Sequence, residues 1–358
     1  MLFPYQYVPH SMEIMQSYID FIFYEVWCRA KGRTYDIDVL FADNQELREM
    51  ITELDGKKPK GANFFLTGLQ EIFNDFKILS NKDIEQLKHC YQSNNCIEHL
   101  CIGDPSVTPC TYKTISDLSA NSDLSDKLAL HLGQFFKSLY SLSLQPVSMR
   151  IGHIDDHYKL FMTQNSIGKC PFCGIQDLKG IYHSKREAYD HYLPKTHYPF
   201  NSINFSNLVP TCYTCNSSYK HTKDPVRTVR NGRRKAFYPF TSRKYQIDIK
   251  ISLRHKDYAN LLPDDIDIKF GPDELSEEIR TWKEVYEIEE RYKAKCCSMS
   301  DGKAWIVEVL DESQNIGFTP QEYLSFKLKT AYKQPWTDCN FIKKAFLEGC
   351  QAAGLFSE

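Results

Sequence analysis

Apolar residues recur at helical spacing from Ser11 to about Ala30, where Met12, Met15, Tyr18, Ile19, Ile22, Phe23 and Trp27 form one face and Ser11 is the candidate N-cap. Further helical patterns run over Asn44 to Leu54, Ala62 to Phe76, Asp83 to Gln92 and Ser125 to Leu142. They are set apart by turn signals such as Asp55-Gly56 and Gly103-Asp104-Pro105. The C-terminal part has the same character in Glu274 to Lys295, Lys303 to Asp311, Pro320 to Lys333 and Cys339 to Ala353. Between Gly168 and about Leu253 the chain turns to Cys, Tyr, Pro, Asn and basic residues, and Tyr245 to Leu253 alternates as a half-buried strand does. The expected fold is mainly α with a small central α+β insertion. Its divisions are a helical N-terminal region (1–165), a central domain with a basic extension (166–256) and an acidic helical C-terminal region (257–358).

Charge sharpens that division. The whole chain of 358 residues carries 44 Lys plus Arg against 46 Asp plus Glu, but residues 161–260 hold 17 against 6, a balance of +11 that leaves −13 for the rest. The centre is suited to a polyanion and the flanks are not. The start lacks a basic n-region, and the densest apolar run, Tyr18 to Trp27, is short and carries Asp20 and Glu25. No membrane association is expected, and the expected compartment is the cytoplasm. There the 13 cysteines read as reduced thiols and metal ligands rather than a disulfide framework.

Two knuckles stand out, Cys170-Pro171-Phe172-Cys173-Gly174 and Cys212-Tyr213-Thr214-Cys215-Asn216. Two thiolates on a tight turn can share one tetrahedral ion, and two such turns complete a closed, four-sulfur structural zinc site. Between them lie Tyr189-Asp190-His191-Tyr192-Leu193-Pro194-Lys195 and Asn207-Leu208-Val209-Pro210, and the second knuckle runs on as Asn216-Ser217-Ser218-Tyr219-Lys220.

With this spacing, roughly Lys169 to Lys220 resembles the HNH nucleases of the His-Me finger (ββα-metal) superfamily, in the branch stapled by two CxxC pairs. The resemblance implies a zinc-stapled ββα-metal finger between the helical regions and hydrolysis of phosphodiester bonds. His191 would be the general base, and Asp190 and Asn216 would hold one catalytic Mg²⁺ or Mn²⁺ by a carboxylate and an amide oxygen. Asn207 would tie down the loop that carries His191. Many relatives have His where Asn216 stands, which leaves His221 as a reserve ligand or phosphate contact. Adjacent strand residues face opposite ways, so Asp190 and His191 can serve one phosphate only from its two sides or from a distorted strand end.

Lys195, Lys220, Arg227, Arg230, Arg233, Arg234 and Lys235 are the candidate nucleic-acid contacts, through phosphates rather than bases. Phe237 and Phe240 suit the core, and Tyr238 either role. The preferred substrate is double-stranded DNA. Structured RNA remains open, as does a zinc-stabilised nucleic-acid-binding adaptor without turnover. The large acidic flanks suit a protein partner, such as an ATPase or sensor, or a homo-oligomer, in a restriction or anti-phage defence system. Without a phosphate-binding loop in the sequence, any ATP dependence would come from that partner. Elsewhere, His153 and His157 suit a solvated helix face, while His89, Cys90, Cys96, His99, Cys101 and Cys110 suit scattered core thiols and their neighbours. Cys296-Cys297 has no neighbouring base and is not read as a nucleophile.

Overall fold

The computed structural model describes residues 2–57, 59, 62–119, 121–140, 145–228, 230, 232–243 and 245–357. The expected helix end at Leu142 lies outside them. The fold is mainly helical, with two small antiparallel sheets among the described residues. β1 (Ala188–His191) pairs with β2 (Leu208–Thr211), and β3 (Asp248–Leu253) pairs with β4 (Ile266–Gly271). β4 was not foreseen, because its exposed Asp267 and Lys269 alternate with apolar residues over only six positions.

The N-terminal helices pack as their periodicity requires. Trp27 and Phe23 enter a core with Phe65, Phe76, Phe135 and Phe136, and the Trp27 indole donates to Leu69 O at 3.1 Å. Helices Asn63–Ile78 and Ser122–Leu139 approach so closely that a Cβ on Gly68 would lie 2.7 Å from the Phe135 ring. The opening helix is capped by His10 rather than Ser11: His10 Nδ1 accepts from Met12 N, and Glu13 accepts from His10 N. Ser11 instead donates to Ile151 O. Asp55-Gly56 lies inside the helix Gln45–Lys57 and makes no turn.

A second core joins the cysteine-rich central segment to the C-terminal region, so the expected boundaries near 165 and 256 do not divide the packing. Leu2 N donates to Pro171 O and Tyr5 N to Pro239 O, so the first described residues strap the central segment. The helix Ile154–Gln164 contributes Tyr158, Phe161 and Met162 to the same core. The C-terminal acidic helix is broken at Glu287, whose φ of 48° lies in the left-handed region. Ser276–Tyr286 and Ile288–Cys297 are therefore separate helices, and both bring aromatic residues to the core around the cysteine knuckles.

Two expectations about chemistry away from the cysteine knuckles are corrected. Cys90 and Cys110, read as scattered thiols, form a disulfide with Cα atoms 5.3 Å apart. They are 20 residues apart in sequence, and only the packing of the segment after Gly103 against helix Asn81–Asn95 brings them together. His157 does not lie on a solvated face. It is buried, with Nε2 donating to Val8 O at 3.1 Å and Nδ1 accepting from the Tyr189 hydroxyl.

Those two partners suit a neutral ring, and burial pushes the His157 imidazole down to about 4. The unfolded chain therefore binds this proton more readily than the folded one. The associated stability is fully present above about pH 6.5 and is lost as pH falls toward 4. Denaturant unfolding of the parent and His157→Gln at pH 7.5 and 4.5 tests this, with the parent's advantage expected to shrink by about 3 kcal/mol at the lower pH. An advantage independent of pH would contradict the assignment.

Candidate functional site

The four knuckle cysteines converge in a buried cluster, their sulfur atoms all within 4.8 Å of one another. A tetrahedral ion with metal–sulfur bonds of about 2.3 Å needs sulfurs just under 4 Å apart, so the four can hold one metal ion. Each knuckle turns as its sequence requires. Gly174 N donates to Cys170 O at 2.8 Å, and Gly174 sits at φ 68° where an added Cβ would meet Leu2 and Phe341. In the second knuckle, Asn216 N donates to Cys212 O and Cys215 N points to Cys212 Sγ at 3.4 Å.

The C-terminal helices complete this centre in a way the sequence did not reveal. Arg291, only 7% exposed, places Nη1 3.2 Å from Cys215 Sγ, and its guanidinium lies over the Tyr219 ring. Four thiolates around a divalent ion leave a net negative charge, and a buried arginine beside them offsets it. The Trp282 indole donates to Phe172 O and the Tyr292 hydroxyl to Cys173 O. Phe172 itself stacks on Tyr286 at 4.4 Å. The available sequence signal was a basic residue on the buried face of an acidic helix, which has no spacing rule to mark it.

β1 presents Asp190 and His191 to different surroundings, as strand alternation demands. Register places Asp190 opposite Val209 and His191 opposite Leu208. Asp190 is buried, and its Oδ1 accepts from Lys220 Nζ at 2.9 Å. Lys220 also donates to His191 O, is itself fully buried, and so is not available to phosphate as the sequence reading proposed. A buried ammonium is retained only where its hydrogen bonds and charge are met, and Asp190 meets them. The other carboxylate oxygen, Asp190 Oδ2, is buried with no hydrogen-bond partner. Burial raises the Asp190 carboxyl above its ordinary value, against the opposing pull of Lys220.

His191 donates from Nε2 to Ser202 O at 2.9 Å, which leaves the lone pair on Nδ1. The Tyr140 ring meets it edge to face at 4.5 Å. Burial, aided by the Lys195 charge, pushes the imidazole down to about 3 and keeps it neutral. Lys195 lies over the Tyr140 ring at 4.9 Å and donates to Lys137 O. Asn207 is fully buried and clamps the chain after His191: Oδ1 accepts from Leu193 N at 2.7 Å, and Nδ2 donates to Leu193 O and Asn201 O. Asn216 is half-buried on the helix Thr214–Lys220, whose wide i→i+5 spacing is set by bonds such as His221 N to Asn216 O. The i→i+5 pattern widens the turn beyond that of an α-helix, so Asn216 and Lys220, four residues apart, lie near the same side. His221 ends this helix with a φ of 48° and is exposed, its ring against the Thr222 hydroxyl.

The basic stretch divides between packing and solvent. Arg234, a proposed phosphate contact, is instead buried and donates to Glu284 Oε2 at 2.7 Å and to Asp224 O. Arg233, though exposed, donates to Asp104 O, and the Lys235 side chain lies over Gly103. Part of the central positive charge thus serves the acidic flanks of the same chain, where opposite charges meet at short range. Arg230 is exposed and Arg227 half-buried. Phe237 and Tyr238 are buried, and Phe240 packs against them partly exposed.

Over 60 residues the chain is 45% identical to protein ea31 of Escherichia phage lambda, a stretch that is 16% of this chain and 18% of that protein. No family model and no solved structure matches. Among the described residues, no helix is long and apolar enough to cross a membrane.

Elemental analysis of protein freed of loosely held metal should find about one zinc per chain, and Cys215→Ser should lose it. Arg291→Met should keep the stoichiometry yet bind zinc about tenfold more weakly in chelator competition, the lower range for a residue that supports metal ligands. Unchanged affinity in that variant would reduce Arg291 to a packing residue.

Proposed function

We propose that this chain is a metal-dependent HNH endonuclease that hydrolyses phosphodiester bonds, with double-stranded DNA as the favoured substrate. The observation that carries the reading is the orientation of His191. Its Nε2 proton is committed to Ser202 O, so Nδ1 carries the free lone pair of a neutral ring on a strand held by Asn207. A general base needs that unprotonated nitrogen to take a proton from the attacking water. Asp190 and Asn216 are the residues that would hold a Mg²⁺ or Mn²⁺ ion, and the orphaned Asp190 Oδ2 is the donor atom that fits it. When bound, such an ion supplies positive charge for the leaving 3′ oxygen. The zinc-filled cysteine cluster would keep β1, β2 and helix Thr214–Lys220 in one register. The exposed basic residues Arg230 and Arg233 would hold phosphates without reading sequence.

The acidic helical regions pack on this finger from both sides, and Tyr140 covers His191. That arrangement favours an effector kept closed until a protein partner or a second copy opens it, as a restriction or anti-phage system requires. One observation favours the rival reading, a zinc-stabilised nucleic-acid adaptor without turnover: Lys220 already neutralises Asp190 in a buried pair.

Incubation with supercoiled plasmid, beside a structured RNA, in Mg²⁺ or Mn²⁺ separates the readings. The parent should nick or linearise the plasmid, and His191→Ala should lose at least about 100-fold in rate with zinc content and circular dichroism unchanged. Cleavage confined to the RNA would move the substrate. Cleavage by neither, or equal cleavage by the variant, would overturn the proposed chemistry.

A further inference from the structure

A cleft of about 1450 Å³ runs between the two cores, and neither Asp190 nor His191 lines it. One wall comes from the helix Asn81–Asn95 and the segment joined to it by the Cys90–Cys110 disulfide. The other comes from the finger, through Thr196, His197 and residues 222–228. Clefts at the junction of two packed units are preferred binding places, and this one exceeds the roughly 300–1,000 Å³ of sites for a single small molecule.

The charges that line it are not equally free. All four carboxylates are occupied by the protein itself: Glu85 by Lys88, Asp117 by Lys113, Glu284 by Arg234, and Asp224 by the Val226 and Arg227 amides and the Tyr198 hydroxyl. Lys223 is likewise paired with Glu287. Among the described residues, the Arg227 guanidinium and the Lys82 ammonium have no acidic partner, and six threonines line the same space. Two residues of the lining also keep buried polar atoms without a protein partner, Arg234 Nε and the Tyr112 hydroxyl. Neutral donors leave Asp224 its charge. With Lys82, Lys113, Lys223, Arg227 and Arg234 against Glu85, Asp117, Asp224 and Glu284, the lining carries one excess positive charge, with Arg227 and Lys82 its two cations without an acidic partner, and it is rich in hydroxyl groups.

We propose that this cleft binds a single-stranded segment of nucleic acid through its phosphodiester groups, with Arg227 and Lys82 as the phosphate contacts from opposite walls. A groove that tracks a strand needs positive charge spaced along it and hydroxyl or amide donors between, and it tolerates any base order. The cleft's volume suits a strand better than a mononucleotide. The inference does not depend on cleavage, because binding is its readout.

Fluorescence anisotropy of the full chain with a labelled octathymidylate, without added divalent ion, tests it. The parent should bind, and Arg227→Ala/Lys82→Ala should weaken binding at least tenfold. The double variant should also lower the salt slope by about 1.4, two lost contacts at about 0.7 each on a single strand. Lys82→Glu, at an exposed position at the start of its helix, tests the same wall without touching the finger. Lys329→Ala, an exposed position outside the lining, should leave affinity within about twofold. An unlabelled duplex of equal length should compete poorly. The proposal is overturned if the parent does not bind, if both cleft variants bind like the parent, or if duplex or millimolar inorganic phosphate displaces the strand as well as unlabelled octathymidylate does. A chain that binds the strand but cuts nothing would sink the nuclease reading alone.

Discussion

Two four-residue strands and a seven-residue helix bury too little apolar surface to hold a shape in water, and everything placed on them depends on what supplies the missing constraint. Here the constraint is the convergence of four cysteine sulfurs, one pair before β1 and one pair after β2. The knuckles fix the two ends of the hairpin relative to each other, and the C-terminal aromatics then close over them. Phe172 stacks on Tyr286, Trp282 bonds the knuckle backbone, and Arg291 meets the Cys215 sulfur. The cysteine-rich central segment is consequently inseparable from the region after it, and one hydrophobic core runs through both.

Electrostatics adds a second layer of specificity. A buried lysine and a buried aspartate gain little net stability from each other, because desolvation offsets most of their attraction. The Lys220–Asp190 pair does fix how helix Thr214–Lys220 sits on β1, since any other seating would leave a charge buried alone. The same logic seats Arg234 between Glu284 and the Asp224 carbonyl and binds the basic stretch to the C-terminal helices. His191 lies on the other side of the strand, neutral and covered by Tyr140, a residue of the N-terminal region. The N-terminal region and the central segment thus meet at the candidate base, with Tyr140 against its ring and Ser202 O on its Nε2, and access to it is a property of their packing.

The amino-acid sequence by itself determined most of the long helices and the four-cysteine cluster. Helical periodicity placed most of the long helices to within a few residues, including Pro320–Lys333 at both ends, because a buried stripe and a capping residue are local signals. The cysteine knuckles were equally legible, since their chemistry lies in a spacing of two residues and leaves few alternatives. What only the tertiary structure decided concerns residues far apart in sequence. The Cys90–Cys110 bond, the contact of Arg291 with Cys215, the burial of His157 and the pairing of Lys220 with Asp190 each join positions at least 20 residues apart, and no local pattern records such a meeting. Lys220 and Arg234 looked like phosphate contacts because a positive charge in sequence carries no mark of the side it will face. That side is settled by which carboxylates the fold brings within reach, and by the cost of burying any charge that finds none.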